Sequence, residues 1–308
     1  MPGGVAASNG AVYPGRSFPS GAVPGVMNVD GSNIDLKTVE GFGEEWSAYD
    51  QEDLSSAEHR RIFEEYFSIF PFDRLPEGAE GFDLGCGSGR WALLAAKRVG
   101  LLHCIDPAAK ALAVARNRLA HMPNVRFHDA GAANIPLADE SQDFGYSLGV
   151  LHHVPDPEAA MASCVRKLKP GAPLLVYVYY ALENRPGWYR GVWRASNALR
   201  RMISRLPFPL RKGISSAIAL SVYYPVARLA LALERLGADV RDVPLTLYRD
   251  RSFYTMRTDA LDRFGTRLKH RFSRSELQAM MERCGLVDIR FREAMPHWVA
   301  CGTKPGSE

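Results

Sequence analysis

Ten residues constrain this chain more than any other stretch: Gly81-Phe82-Asp83-Leu84-Gly85-Cys86-Gly87-Ser88-Gly89-Arg90. They follow the turn-rich Pro76-Glu77-Gly78 and precede Trp91 to Lys97, a run of good helix formers. This is the strand, glycine turn and helix of a nucleotide-binding α/β unit. Glycines let backbone pass close to a ligand, and a helix N-terminus supplies free N–H groups just beyond. The next apolar run, Leu101 to Ile105, ends in Asp106, 21 residues after Gly85. That distance places a second-strand carboxylate where it can take both hydroxyls of a ribose.

Two details separate this turn from a dinucleotide site. Asp83 stands two residues before the first glycine, where a pyrophosphate would be repelled and a cationic amino-acid ligand welcomed. The glycines are spaced Gly85, Gly87, Gly89, which departs from the G-x-G-x-x-G dinucleotide fingerprint. Further on, short apolar runs alternate with helical segments. Strands are predicted at Gly81–Leu84, Leu101–Ile105, Val125–His128, Phe144–Gly149 and Leu174–Tyr180, with helices at Arg90–Arg98, Ala108–His121 and Glu158–Leu168. Such alternation means a parallel sheet covered on both faces. A capping box at Ser273-Arg274-Ser275-Glu276 opens a helix to Cys284 that stops at Gly285, and Val287–Phe291 and Trp298–Thr303 read as two final strands.

With these residues on the page, the chain resembles the class I S-adenosylmethionine-dependent methyltransferases. The resemblance covers roughly Gly41 to Lys304, loosely in its middle. It rests on Asp83 to Gly89, Asp106, the block Asp143 to His153, and Leu168-Lys169-Pro170-Gly171. It implies a seven-stranded Rossmann-like α/β sheet, mostly parallel, with a C-terminal antiparallel strand pair that a nicotinamide fold would not predict. It also implies S-adenosylmethionine as cofactor, held by Asp83, Gly85, Cys86, Gly87, Ser88, Gly89, Asp106, Pro107, Gly149 and Leu151. One departure stands out. Relatives carry an acid for the adenine amino group shortly before the Leu-Pro that Ile135-Pro136 matches. Gly131 holds that place here, so adenine recognition falls to Asp129 or to backbone around Ala132.

Methyl transfer from a sulfonium is an in-line displacement in which positioning does most of the work. A hydroxyl acceptor needs a base, and His152 and His153 follow the fourth strand, whose C-terminal end faces the ligand crevice. Either could be that base; packing on the cofactor is the alternative. Tyr179, Tyr254, Arg257 and His297 are the candidate acceptor contacts, and no metal site is visible. A nicotinamide-dependent oxidoreductase and a non-catalytic cofactor-binding subunit of the same fold are the competing functions.

Around this core the chain divides into a disordered tail (1–33), N-terminal helices (34–75), the cofactor-binding core (76–180), a helical basic insertion (181–257) and the end of the core (258–308). The tail is rich in Gly, Pro, Ala and Ser, too poor in apolar residues to offset its ordering entropy. Ser55-Ser56-Ala57-Glu58 fits a capping box for a helix with Ile62, Phe63, Tyr66 and Phe67 on one face. These helices either cover a sheet edge or form a lid with Trp46 or Tyr49 on the cofactor. Five cysteines without metal-like spacing, and no basic-then-apolar leader, lead to the expectation of a cytoplasmic protein.

The insertion is chemically distinct. From Asn184 to Leu233 it has no acid but nine arginines and lysines, in a chain whose net charge is only +4. Trp188, Val192, Ala195, Leu199, Met202 and Leu206 form one apolar stripe, with Arg190, Arg194, Arg201 and Arg205 on the other side. A second helix runs from Ile214 to about Leu236, with a break at Pro225; its uncharged stretch Gly213–Ala227 is 15 residues, short for a span. A cap that lays the stripe on its own protein is the first expectation. The expected reaction is O-methylation of a small-molecule, sugar or lipid-linked acceptor. Peripheral membrane contact through 186–236, reaching a lipid-linked or amphiphilic acceptor, is the second reading of the insertion, and an oligomer interface or anion-binding lid the third. No nucleic-acid partner is expected.

Overall fold

The computed structural model describes residues 33–183, 185–292 and 297–306. The tail expected to be disordered lies outside these, apart from Asn33. Seven strands form one sheet: β1 (Glu80–Leu84), β2 (Leu101–Ile105), β3 (Val125–His128), β4 (Phe144–Leu148), β5 (Pro173–Tyr179), β6 (Val287–Phe291) and β7 (His297–Thr303). Their spatial order is β3-β2-β1-β4-β5-β7-β6. The first five are parallel, while β7 runs antiparallel between β5 and β6, pairing from Pro173↔Thr303 to Tyr179↔His297. The sheet is therefore the seven-stranded, C-terminally antiparallel one expected from the sequence.

Alternation along the strands explains the two cores. Leu174, Val176 and Val178 face one layer with Phe82 and Leu84, under α5 (Pro157–Lys167) and α10 (Arg274–Arg283). Leu175 and Tyr177 face the other with Phe144 and Tyr146, under α2 (Ser56–Tyr66), α3 (Ala92–Ala95) and α4 (Ala109–Arg118). Both faces are covered, so the strands read as nearly continuous apolar runs. Strand order reverses between β1 and β4, and in an open α/β sheet ligands bind beyond the C-terminal strand ends at that point.

Local chemistry sets the boundaries. The box at Ser273 is complete, with Ser273 capping Glu276 N and Glu276 reaching back to Ser273 N. At Ser55 only half forms: Ser55 Oγ caps Glu58 N at 3.2 Å, but Glu58 Oε1 instead accepts from Ser252 N and Thr255 Oγ1 at 3.0 and 2.9 Å. That carboxylate ties α2 to the start of α9 (Phe253–Gly265). The helix expected over Arg90–Arg98 is one α turn, α3, followed by a 3-10 turn at Ala96–Arg98. Val99 is already extended and Gly100 N bonds back to Ala79 O at 2.9 Å, so the chain has turned into β2.

Three helices build the insertion: α6 (Gly187–Ile203), α7 (Phe208–Ile218) and α8 (Tyr224–Arg235). Pro225 does not break the second long helix. A π turn at Ala219–Tyr223 joins α7 to α8, which accommodates a proline that cannot donate its N–H. A small core of Ile203, Ala219, Tyr223 and Ala227 is completed by Met256, Ala260 and Phe264. Helix α9 supplies those three residues and so runs across the expected 257/258 boundary.

Candidate functional site

The glycine turn after β1 is held from below and above. Gly85 N donates to Ile105 O at 2.7 Å, and Asp106 accepts from Gly87 N and Ala108 N, each at 2.8 Å. Gly85, Gly87 and Gly89 all have positive φ. A Cβ at Gly85 would sit 2.2 Å from Val150 Cγ2, and one at Gly87 2.9 Å from the Trp46 Nε1. Trp46, from α1 (Leu36–Ala48), therefore roofs the turn, with the Arg90 guanidinium 5.8 Å from its ring. Tyr49 instead packs against Tyr254 of α9, rings 6.0 Å apart.

Beneath the turn, Asp83 is buried and its Oδ2 has no hydrogen-bond partner. Burial pushes its carboxyl up to about 8, with the Tyr146 hydroxyl opposing and Asp106 adding to the rise. Burial likewise raises Asp106 to about 6, against the N–H groups of Ala108 and Gly87. A cation bound above them would draw both back to the charged form.

Next to this turn lies a cavity of about 830 Å³. Its sheet side is Leu148, Gly149, Tyr177 and Tyr179; α1 and the glycine-turn flank give Glu45, Trp46, Arg90 and Trp91. The insertion closes it with Tyr189, Trp193, Tyr223 and Tyr248, and α9 contributes Asp259, Asp262 and Arg263. Five carboxylates line the chamber, Asp239 and Asp242 at the insertion side and Glu45, Asp259 and Asp262 facing the sheet side, and the last three are in different states. Asp262 is held down at about 2: burial opposes, but the Lys269 ammonium, His153 and the Tyr179 hydroxyl, which donates to it, outweigh burial. Glu45 is pushed well up by burial, with the Asp262 charge adding to it. Asp259 rises to about 6, chiefly through burial, moderated by Arg90. Among the described residues no His, Cys, Asp and Glu cluster could hold a metal ion.

The sequence-derived site residues do not all converge. Asp83, Gly85 to Gly89 and Asp106 converge at the ends of β1 and β2. Gly149 lines the cavity and donates to Tyr177 O at 3.1 Å; Tyr179 and His297 also line it, and His297 Nδ1 shares a 3.0 Å hydrogen bond with the Tyr177 hydroxyl. Pro107 is half-buried after β2, Leu151 is fully buried, Ala132 is core, and Asp129 is exposed past β3. Tyr254 and Arg257 face away from the cavity: Tyr254 accepts from Gln51 N at 2.9 Å and Arg257 lies over Tyr49.

His152 and His153 do not line the cavity either. Both sit in a 3-10 turn, Leu151–His153, that tucks them beneath Tyr179. Neither His152 ring nitrogen has a partner, and His153 Nδ1 bonds to Leu268 O at 2.8 Å. Burial drives His152 well below its ordinary value and His153 to about 3. The residues sequence reasoning missed are Glu45, Asp259 and Asp262. The one available signal was Asp259 and Asp262 three apart, on a helix face beside buried Leu261 and Ala260.

Sheet order, glycine turn and paired carboxylates together define a class I methyltransferase fold with its cofactor crevice at the β1/β4 switch point. Residues 82–176 match the family model described as a methyltransferase domain, and this segment belongs to the class I, S-adenosylmethionine-dependent family. The 2-phytyl-1,4-naphtoquinone methyltransferase of Thermosynechococcus vestitus is 34% identical over 128 residues, 39% of this chain and 56% of that protein. The ubiquinone biosynthesis O-methyltransferase of Paracidovorax citrulli is 32% identical over 114 residues, 35% of this chain and 45% of that protein. The chain thus spans about half the length of the curated relatives it matches. Among solved structures, a chain of the Haloferax volcanii complex containing the Trm112 methyltransferase activator superposes with TM-score 0.50 at 16% identity, covering 88% of this chain and 99% of that one. It shares the fold.

The turn fits S-adenosylmethionine. Asp83 offers a buried, unpartnered carboxylate oxygen where a cationic amino-acid group would lie, and the backbone at Gly87 leaves no room for a side chain under Trp46.

Proposed function

We propose that this protein transfers a methyl group from S-adenosylmethionine to an oxygen of a ring-bearing, amphiphilic acceptor. The observation that carries this reading is the aromatic chamber beside the cofactor turn, with Asp259 in its wall. Bound S-adenosylmethionine supplies an electrophilic methyl on a sulfonium. Asp83 and Asp106 would hold its amino-acid end and ribose, and backbone at Gly85 to Gly89 would pass beneath it. Tyr66, Tyr177 and Tyr179 present rings against which a planar acceptor can lie, and Trp46 and Trp193 keep water from the reacting atoms.

The base is Asp259. A general base works best with a pKa near the operating pH. Asp262, held near 2, is too weak a base, while burial and the Asp262 charge push Glu45 well above the ordinary carboxylate range. Asp259, at about 6, is charged at neutrality yet able to accept a proton. The names of the quinone-pathway relatives support an acceptor with a ring and a lipid tail.

Incubation with methyl-labelled S-adenosylmethionine and a panel of prenylated phenols, short phenols and sugars tests the reading. Label should enter the phenolic oxygens and favour the prenylated members. Label on sugars alone, or on carbon or nitrogen alone, would replace this acceptor class.

A further inference from the structure

Helix α6 does not sit as its apolar stripe suggests. Trp188, Val192, Leu199 and Met202 are exposed, between 44% and 69% each. The face turned inward is Tyr189, Trp193, Ser196, Arg200 and Ile203, roughly 100° round the helix from the stripe at 100° per residue. Strong polar contacts hold it there. Arg200 Nη1 donates to Thr266 O and Arg267 O at 2.7 and 2.9 Å, Arg263 donates to Ser196 Oγ at 2.9 Å, and the Trp193 ring stacks with Arg271 at 4.8 Å. The cap does cover the cavity, but with its mixed face, and the stripe is left outside.

The rest of the insertion extends that exposed surface. Of the thirteen large hydrophobic side chains exposed among the described residues, eleven lie between Trp188 and Leu236, including Leu210, Ile214, Leu220 and Leu229. Arg190, Arg194, Arg201 and Arg205 are exposed on the other flank of α6, and among the described residues none of the four is paired with an acid. A large apolar patch flanked by unpaired arginines marks an interaction surface.

We propose that the outer face of α6, α7 and α8 docks this protein on an anionic lipid bilayer. Basic amphipathic helices lie in such an interface with apolar side chains among the acyl chains and arginines at the phosphates. A second copy of the chain fits worse, because it would set the four arginines against four like charges. The joined helix Phe208–Arg235 is long and apolar enough to cross a bilayer, with an 18-residue window of mean hydropathy 1.5. Yet Ala219, Tyr223 and Ala227 pack onto α9, so in this fold it lies along the protein. Tyr189, Trp193 and Tyr223 line the cavity from the same helices, leaving about 10 Å, one helix diameter, between bilayer and chamber. The proposal rests on the proposed function only in letting the acceptor arrive from the lipid.

The test is co-sedimentation of the full chain with vesicles of phosphatidylcholine, alone or with phosphatidylglycerol, across a salt series. Binding should need the anionic lipid and weaken as salt rises. Arg194→Glu/Arg201→Glu should lower the partition coefficient about thirtyfold or more. Met202→Asp/Leu220→Asp, at exposed positions, should lower it comparably while leaving the thermal unfolding transition in place. No sedimentation at low salt overturns the proposal. So does retention that only detergent releases, which would mean a span, or a dimer in light scattering that Met202→Asp dissociates. None of these readouts uses methyl transfer, so failure here and failure of the proposed reaction are told apart.

Discussion

Asp259→Asn should lower turnover about 10²–10⁴-fold while leaving cofactor affinity unchanged, the range for loss of a general base. Asparagine keeps the shape of the side chain but cannot take the acceptor proton. The pH profile gives the second readout. Asp259 accepts a proton only when ionised, so kcat/KM in the native protein should rise with pH through about 6 and level off above. In Asp259→Asn that limb should disappear. His152→Ala is the contrasting variant: its side chain is 1% exposed and off the cavity wall, so it should cost stability and keep the limb. A limb lost in His152→Ala and kept in Asp259→Asn would return the base to the histidine pair.

Gly85→Ala should destabilise the fold by about 2–5 kcal/mol, from two separate causes. The left-handed backbone costs a side chain about 1–2 kcal/mol, and overpacking against a neighbour about 1–3 kcal/mol. Gly85 meets both, with φ +77° and Val150 Cγ2 2.2 Å from the new Cβ. Gly171 isolates the first, since its φ is +82° and no atom lies within 4 Å. Denaturant unfolding of Gly85→Ala and Gly171→Ala should therefore separate by the cost of the clash alone. Equal losses would mean that Val150 moves aside freely and that the turn is less constrained than its packing indicates.

What was legible in the sequence was local. Asp83, the three glycines and Asp106 lie within 24 residues, and each is dictated by its neighbours in the chain, so turn and strands fall where the pattern puts them. The antiparallel β7 followed from the family resemblance. The cavity was legible only in part: Tyr179 and His297 were named, but Glu45 and Asp259 join them only by folding across more than 200 residues. His152 and His153 lie off the cavity wall for a related reason. Their place after β4 points to the crevice, but a single 3-10 turn drops both rings beneath Tyr179. Periodicity likewise revealed the stripe on α6 without its direction. That was decided by Arg200 and Trp193, whose partners Thr266, Arg267 and Arg271 belong to a distant segment.

Titration calorimetry with S-adenosylmethionine and, separately, NAD addresses the central claim, that the β1 turn and its two aspartates form a sulfonium-cofactor site. S-adenosylmethionine should bind and NAD should not. Asp106→Ala should weaken binding by about 1.5–3 kcal/mol, the contribution of a hydrogen bond to a charged group. Heat with NAD and none with S-adenosylmethionine, or an Asp106→Ala protein that binds S-adenosylmethionine as tightly as the native one, would contradict the account.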